Sequence, residues 1–208
     1  MPQHILLLGA TGSAGTAIRQ ALLDQTDVVT TLASRHANRL TPVAGRERIA
    51  QLDVHDETAL NQAMTEQDIV VSALSAERDD NELASLAEAV MAAMATQHVR
   101  RLIFMVAMGI YNEIPATVGA QDNVEHNPLQ IHNLKAARVI EDSALNYTLL
   151  RPGFLVTGDS AVTITQKGEP VTNNTTSLAS VGSVVVQLIT GKLTANRASL
   201  GLNQPAKN

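Results

Sequence analysis

Three glycines spaced three apart, Gly9, Gly12 and Gly15, stand in the stretch "HILLLGATGSAGTAI", immediately after an apolar run. Glycines between a first strand and a helix are what a dinucleotide pyrophosphate requires. One lets the chain turn sharply, one lets the backbone approach the phosphates, and one lets the helix close onto the strand. Thr11 and Ser13 add hydroxyl donors, so the candidate cradle is Gly9, Thr11, Gly12, Ser13, Ala14 and Gly15. The spacing is Gly-x-x-Gly-x-x-Gly and no lysine follows Gly15, which excludes the P-loop of ATP-type sites. A plain small-residue turn is the other use of the same glycines.

Three further positions bear on the same ligand. Where an acid at the end of a second strand would accept from an adenosine ribose, this chain offers Ser34 and Arg35, with His36 and Arg39 after them. A cation there suits a 2′-phosphate, so NADP is expected over NAD, with a solvated arginine as the plainer reading. Asp53 and Val54 end the third apolar run, where a carboxylate can accept from an adenine amino group or serve as a turn or helix-capping acid. Ser72, Ala73 and Leu74 end the fourth, small enough to lie beneath a cofactor or simply to pack.

The elements that must hold these residues alternate along the chain. Short runs rich in Val, Ile and Leu occupy 4–10, 28–34, 48–54, 68–74, 101–108 and 147–153, and segments of helical period lie between them. That alternation implies βαβ units and a parallel sheet covered on both faces. One helix is expected from Ser13, with Ala14, Ile18, Ala21 and Leu22 on one stripe, and another places Leu83, Leu86, Ala87, Val90, Met91 and Met94 together. A third, "NLKAARVIEDSA", follows a polar stretch from Met108 to about Asn133 that is too long for a routine crossover and is expected to carry function. Beyond Gly153, short strands and turns precede a helix over 177–191 and a last strand near 198–204. The expected fold is a single α/β domain over 1–208: a Rossmann-type doubly wound parallel sheet in 1–153, and a small, dependent substrate-side cap in 154–208. No internal repeat or low-complexity linker interrupts it.

Composition narrows the partners. Hydrophobic residues make up 45% and charged residues 17%, as in an ordinary globular protein. Aromatics are only 2%, and the net charge is -5. Both argue against a nucleic-acid platform or an anionic membrane surface, although a local group of cations can still hold one phosphate. The lack of Cys excludes disulfides, thiolate metal sites and cysteine nucleophiles, and no metal is expected. The apolar run "ILLLGA" follows no Lys or Arg and stops within about six residues, shorter than the ~7–15 of a signal h-region. No segment approaches the ~20 apolar residues of a membrane span, and a soluble cytoplasmic protein is expected.

"GATGSAG", "SR" at 34 and 35, "LDV" at 52–54, "MGIY" at 108–111 and "YTLLRPG" at 147–153 together resemble the atypical short-chain dehydrogenase/reductases. These are an NAD(P)-binding group that includes NmrA-like regulators and flavin (biliverdin) reductase-like enzymes. The resemblance is strong to Gly153 and weaker through the last helix. It implies a cofactor contact at Pro152 of "RPG" and at Lys135, the place of the lysine that holds a nicotinamide ribose in the wider superfamily. A surface lysine is the other reading of Lys135. The chain departs from that superfamily where its acid chemistry resides. The serine place at the end of the fifth strand falls on Val106 or Ala107, and the tyrosine place four residues before Lys135 is Ile131. His126, His132 and Tyr111 are substitute proton donors by type alone, and no catalytic residue is assigned. Met108, Tyr111 and Phe154 offer apolar surfaces to a flat acceptor. The leading expectation is an NADP(H)-dependent oxidoreductase passing hydride to a small-molecule acceptor of the flavin or quinone class, which solvent can protonate. The competing expectation is a non-catalytic, NmrA-like NADP sensor that reports to a protein partner. A sugar-nucleotide epimerase fits poorly, because the segment after Gly153 is short for a sugar-nucleotide lobe.

Overall fold

The computed structural model describes residues 3–76 and 81–205. Each expected apolar run overlaps a strand, β3 and β6 starting one residue before theirs: β1 His4–Leu8, β2 Val29–Ser34, β3 Glu47–Gln51, β4 Ile69–Ser72, β5 Arg101–Met105 and β6 Asn146–Pro152. They lie parallel in the order β3-β2-β1-β4-β5-β6. The chain runs outward from β1 to one side and returns to β4 on the other, so the order reverses between β1 and β4. This is the Rossmann-type arrangement, and it opens a crevice outside the carboxyl ends of those two strands.

Alternation along the strands builds two cores. Leu6 and Leu8 of β1 face one cluster, packed under the helices α2 Glu57–Met64, α3 Glu82–Thr96 and α4 Ile131–Glu141. Ile5 and Leu7 face the other, packed against α1 Ser13–Gln25 and α5 Leu178–Ile189. All four side chains are fully buried, as strands covered on both faces require. Asp56 caps α2 by accepting from the Ala59 N–H at 3.0 Å.

The segment expected as a cap divides in two. β10 Ala198–Asn203 pairs in parallel with β6, and β8 Thr163–Thr165 adds antiparallel to β10, extending the main sheet to eight strands. α5 lies against α1, so close that a Cβ on Gly182 would come within 2.8 Å of Ala17 O and of Ala21 Cβ. Only β7 Phe154–Val156 and β9 Thr175–Ser177, with their loops, form a separate two-stranded sheet beside the carboxyl end of β6. The driving force is burial: Val181, Val184, Val185 and Leu202 are within the second core and could not sit on a solvated cap.

The polar stretch before α4 is tied down from within. Asn123 is 2% exposed, and its side chain accepts from Ile114 N (3.0 Å) and donates to Ile114 O (2.8 Å). Asn127 accepts from Leu129 N (3.1 Å) over a short 3-10 turn at Pro128–Gln130 that leads directly into α4. That turn is why α4 begins at Ile131 and not at Asn133. Among the described residues no helix is long and apolar enough to cross a membrane.

Candidate functional site

The crevice at the reversal point has a volume of about 540 Å³. Of the residues expected to hold a cofactor, Gly9, Thr11, Gly12, Arg35, Asp53, Val54 and Ala73 line it. Ser34, His36 and Leu74 join them, while Ser72 is fully buried at the end of β4 and off the wall. Ser13, Ala14 and Gly15 form the first turn of α1 directly behind the loop.

The three glycines answer to different demands. Gly9 has φ +78, and a Cβ there would lie 2.6 Å from Ala73 O, so the fold itself needs a glycine. At Gly15 a Cβ would lie 2.1 Å from Gly9 O, because the helix returns directly over the turn. At Gly12 an added Cβ meets only Gly9 O, at an ordinary 3.5 Å. The fold can accept a side chain at Gly12; what the missing side chain leaves is open space in front of the helix. α1 begins there with no side-chain cap and no acid in its first turn. Its leading N–H groups and positive end are therefore available to an anion in the crevice.

On the β2 side, Ser34 Oγ accepts from Thr11 Oγ1 (3.1 Å) and from His36 N (3.2 Å), fixing the turn that presents Arg35. Arg35 is an exposed residue of the wall, and Gln51 Nε2 donates to its carbonyl at 3.3 Å. Arg39 is not among the lining residues. Asp53 is not the cap of α2, a role that falls to Asp56; its Oδ1 accepts from His55 N at 3.0 Å, and it remains on the crevice wall. His55, which also lines the crevice, was missed from the sequence because nothing in its spacing marks it.

A second, smaller chamber of about 120 Å³ lies at the carboxyl ends of β5 and β6. Ala107, Met108, Pro152 and Phe154 contribute apolar surface, and Asp122, Gln130 and Asn174 contribute polar groups. Pro152 therefore faces this chamber, not the crevice. Lys135 lines neither cavity; its Nζ donates to Asn81 Oδ1 at 2.8 Å, beside the crevice residue Glu82.

The substitute proton donors lie elsewhere. The Tyr111 hydroxyl donates to Glu141 Oε1 at 2.7 Å, with Arg151 and Lys167 against its ring at 5.1 and 4.4 Å. Burial first, and the Glu141 carboxylate second, push that hydroxyl well above its ordinary value, which makes it a poor proton source. His126 sits 3.2 Å from Glu125 at the surface, and His132 Nε2 lies 3.1 Å from Asn133 Nδ2. Neither lines a cavity. Ile131 packs against the first core together with Tyr111.

Arg151 of "RPG" is fully buried and pairs with the equally buried Glu113. It also donates to Ser199 Oγ (3.0 Å) and Gln166 O (3.1 Å), joining β6 to β10, to the end of β8 and to the loop after β5. Its place in the motif is structural. Among the described residues no cluster of His, Asp or Glu could hold a metal ion.

The profile of the NAD(P)H-binding family matches residues 9–192. A Rossmann-fold NAD(P)-binding family protein from Shigella flexneri is 30% identical, covering 100% of this chain and 96% of its own, with a TM-score of 0.83. A short-chain dehydrogenase/reductase from Veillonella parvula, solved in complex with NADP, has a TM-score of 0.87 at 22% identity over 99% of this chain and 96% of its own. ChuY, an anaerobilin reductase from Escherichia coli O157:H7, has a TM-score of 0.75 at 19% identity over 99% of each chain. No curated protein matches the chain.

Proposed function

Because the chain belongs to the NAD(P)H-binding family, we propose that it is an oxidoreductase that prefers NADPH and passes hydride to a flat, easily reduced acceptor of the flavin or quinone class. When bound, the reduced nicotinamide supplies the hydride. The chain's own residues bind and orient. The space before Gly12 and the N–H groups of the first turn of α1 receive the pyrophosphate, Arg35 answers a 2′-phosphate, and Asp53 accepts from the adenine amino group. Lys135, tied to Asn81 beside the crevice, is the candidate for the nicotinamide ribose, and Pro152 sets the floor where crevice and chamber serve one reaction.

The observation that carries the choice of acceptor is the make-up of the chamber wall. Among the described residues it holds no serine, tyrosine or histidine. Ala107 presents a methyl where a polarising hydroxyl would stand, Ile131 packs its side chain against the core, and Tyr111 is spent on Glu141. A simple ketone would forgo a general-acid contribution of about 10²–10⁴-fold. An acceptor that takes hydride readily and is protonated by solvent loses little. Steady-state oxidation of NADPH against aldehydes, ketones, flavins and quinones tests this: flavins or quinones should turn over and ketones should not. Brisk ketone reduction would overturn the reading. Tight NADPH binding with no turnover of any acceptor would favour a sensor of NADP state.

A further inference from the structure

The chamber at the ends of β5 and β6 is too small for a whole fused-ring acceptor. Its volume of about 120 Å³ falls well below the roughly 300–1,000 Å³ of pockets that enclose a drug-sized ligand. It can seat one ring, and the remainder of a larger acceptor must lie across its mouth. Phe154 stands at that mouth, 60% exposed. The chain has two phenylalanines and two tyrosines. Phe104 and Tyr147 are buried and Tyr111 is half-buried, so Phe154 alone of the four presents most of its ring to an incoming flat molecule. Gly153 and the hydrogen bond from Phe154 N to Asn174 O (2.8 Å) hold that ring on β7.

The polar groups of the wall divide into spent and unspent. Gln130 is spent: its Nε2 donates to Met108 O (3.1 Å) and Asp122 O (3.3 Å), and its Oε1 accepts from Asn133 (3.2 Å). Asp122 and Asn174 use only backbone atoms in the fold, and among the described residues neither side chain makes a hydrogen bond. Their ends come together beside Gly119, where a Cβ would lie 3.1 Å from Asn174 Nδ2 and 3.7 Å from Asp122 Oδ2, with the exposed Gln121 Nε2, which is off the chamber wall, at 3.2 Å. A half-buried amide donor next to a half-buried carboxylate acceptor is complementary to a ring edge that carries a carbonyl next to an N–H.

We infer that Asp122 and Asn174 select an acceptor that ends in a lactam or imide ring, Asp122 accepting from its N–H and Asn174 donating to its carbonyl, while Phe154 stacks on the adjoining rings. This rests on the proposed function and narrows its acceptor class to the flavin type. A quinone offers carbonyls and no N–H. It would set an oxygen lone pair against the Asp122 carboxylate and leave that charge desolvated without a partner.

The test is binding, read by quenching of flavin fluorescence, with riboflavin and with its analogue methylated on the imide nitrogen, in the presence and absence of NADP. The protein has no tryptophan to interfere. Riboflavin should bind about tenfold more tightly than the methylated analogue, the contribution of one charge-assisted hydrogen bond. Asp122→Ala should weaken riboflavin binding and bring the two ligands level. Phe154→Ala should weaken both by the same factor. Neither substitution removes a side-chain hydrogen bond among the described residues, and unchanged NADPH affinity in each variant checks that the fold is kept. Equal affinity of the two flavins for the unmutated protein would overturn the inference, as would binding of menadione with no binding of riboflavin. If NADPH itself fails to bind, the proposed function falls, whereas the comparison of the two flavins still reads the chamber.

Discussion

Gly12 and Gly15 separate what the fold needs from what the ligand needs. A side chain at Gly15 would drive into Gly9 O at 2.1 Å, whereas one at Gly12 meets nothing closer than 3.5 Å. Gly15→Val should therefore unfold or severely destabilise the protein, as loss of far-ultraviolet circular dichroism or a low melting temperature would show. Gly12→Val should leave the fold near normal and abolish NADPH binding, since its side chain would fill the space at the head of α1. In the proposed function, Arg35 of the crevice wall sets the choice between cofactors. A charge-assisted pair with a 2′-phosphate contributes roughly 1.5–3 kcal/mol, so Arg35→Ala should reduce the NADPH over NADH preference by about one to two decades. Calorimetry with both cofactors checks it, and equal affinities in the unmutated protein would remove the assignment.

The elements are locked by two ion pairs, one fully buried and one partly buried, that the sequence did not advertise. Arg151→Met would leave the Glu113 carboxylate enclosed without its cation, a loss of about 3–5 kcal/mol of stability that chemical denaturation would register. On the opposite edge, Arg19 of α1 holds Glu47 of β3 at 2.7 Å, and Val43 N donates to the same carboxylate at 2.8 Å. Burial by itself would raise the Glu47 carboxyl, but the Arg19 hydrogen bond, the Val43 N–H and the charges of Arg19 and Arg46 outweigh it and hold it below its ordinary 4.5. A carboxyl lowered in the folded state adds stability that is complete above the unfolded value and is lost as pH falls through the folded one. Arg19→Met should therefore lower stability at neutral pH and flatten its decline below about pH 4.5. Melting curves across that range would show it, and an unaltered acid profile would contradict it.

For the whole molecule, the sheet was legible because each parallel strand is a continuous apolar run, and the crevice was legible because it lies where the glycine turn meets the first helix. β10 and α5 were harder. Their apolar residues read equally well as a small cap until the sheet shows an open edge beside β6 and α1 shows a face that accepts Gly182. The chamber was the least legible part. Phe154 was visible as an apolar surface, but Asp122 and Asn174 lie 52 positions apart in polar, turn-rich sequence. Only the ordered loop fixed by Asn123 and the short β7–β9 sheet bring them to one wall. Tyr111 and Arg151 show the converse: both stand in motifs that suggest chemistry, and both are consumed by packing.

In the proposed function, crevice and chamber together pass hydride from NADPH to a flat acceptor with no tyrosine acid. The most direct measurement is an anaerobic single turnover in which NADPH-saturated protein is mixed with riboflavin and the nicotinamide and flavin absorbances are followed together. Both signals should fall at one rate and in equal amounts, with the rate unchanged in Tyr111→Phe and lost in Gly12→Val. Stable, tightly bound NADPH beside unreduced riboflavin would contradict it.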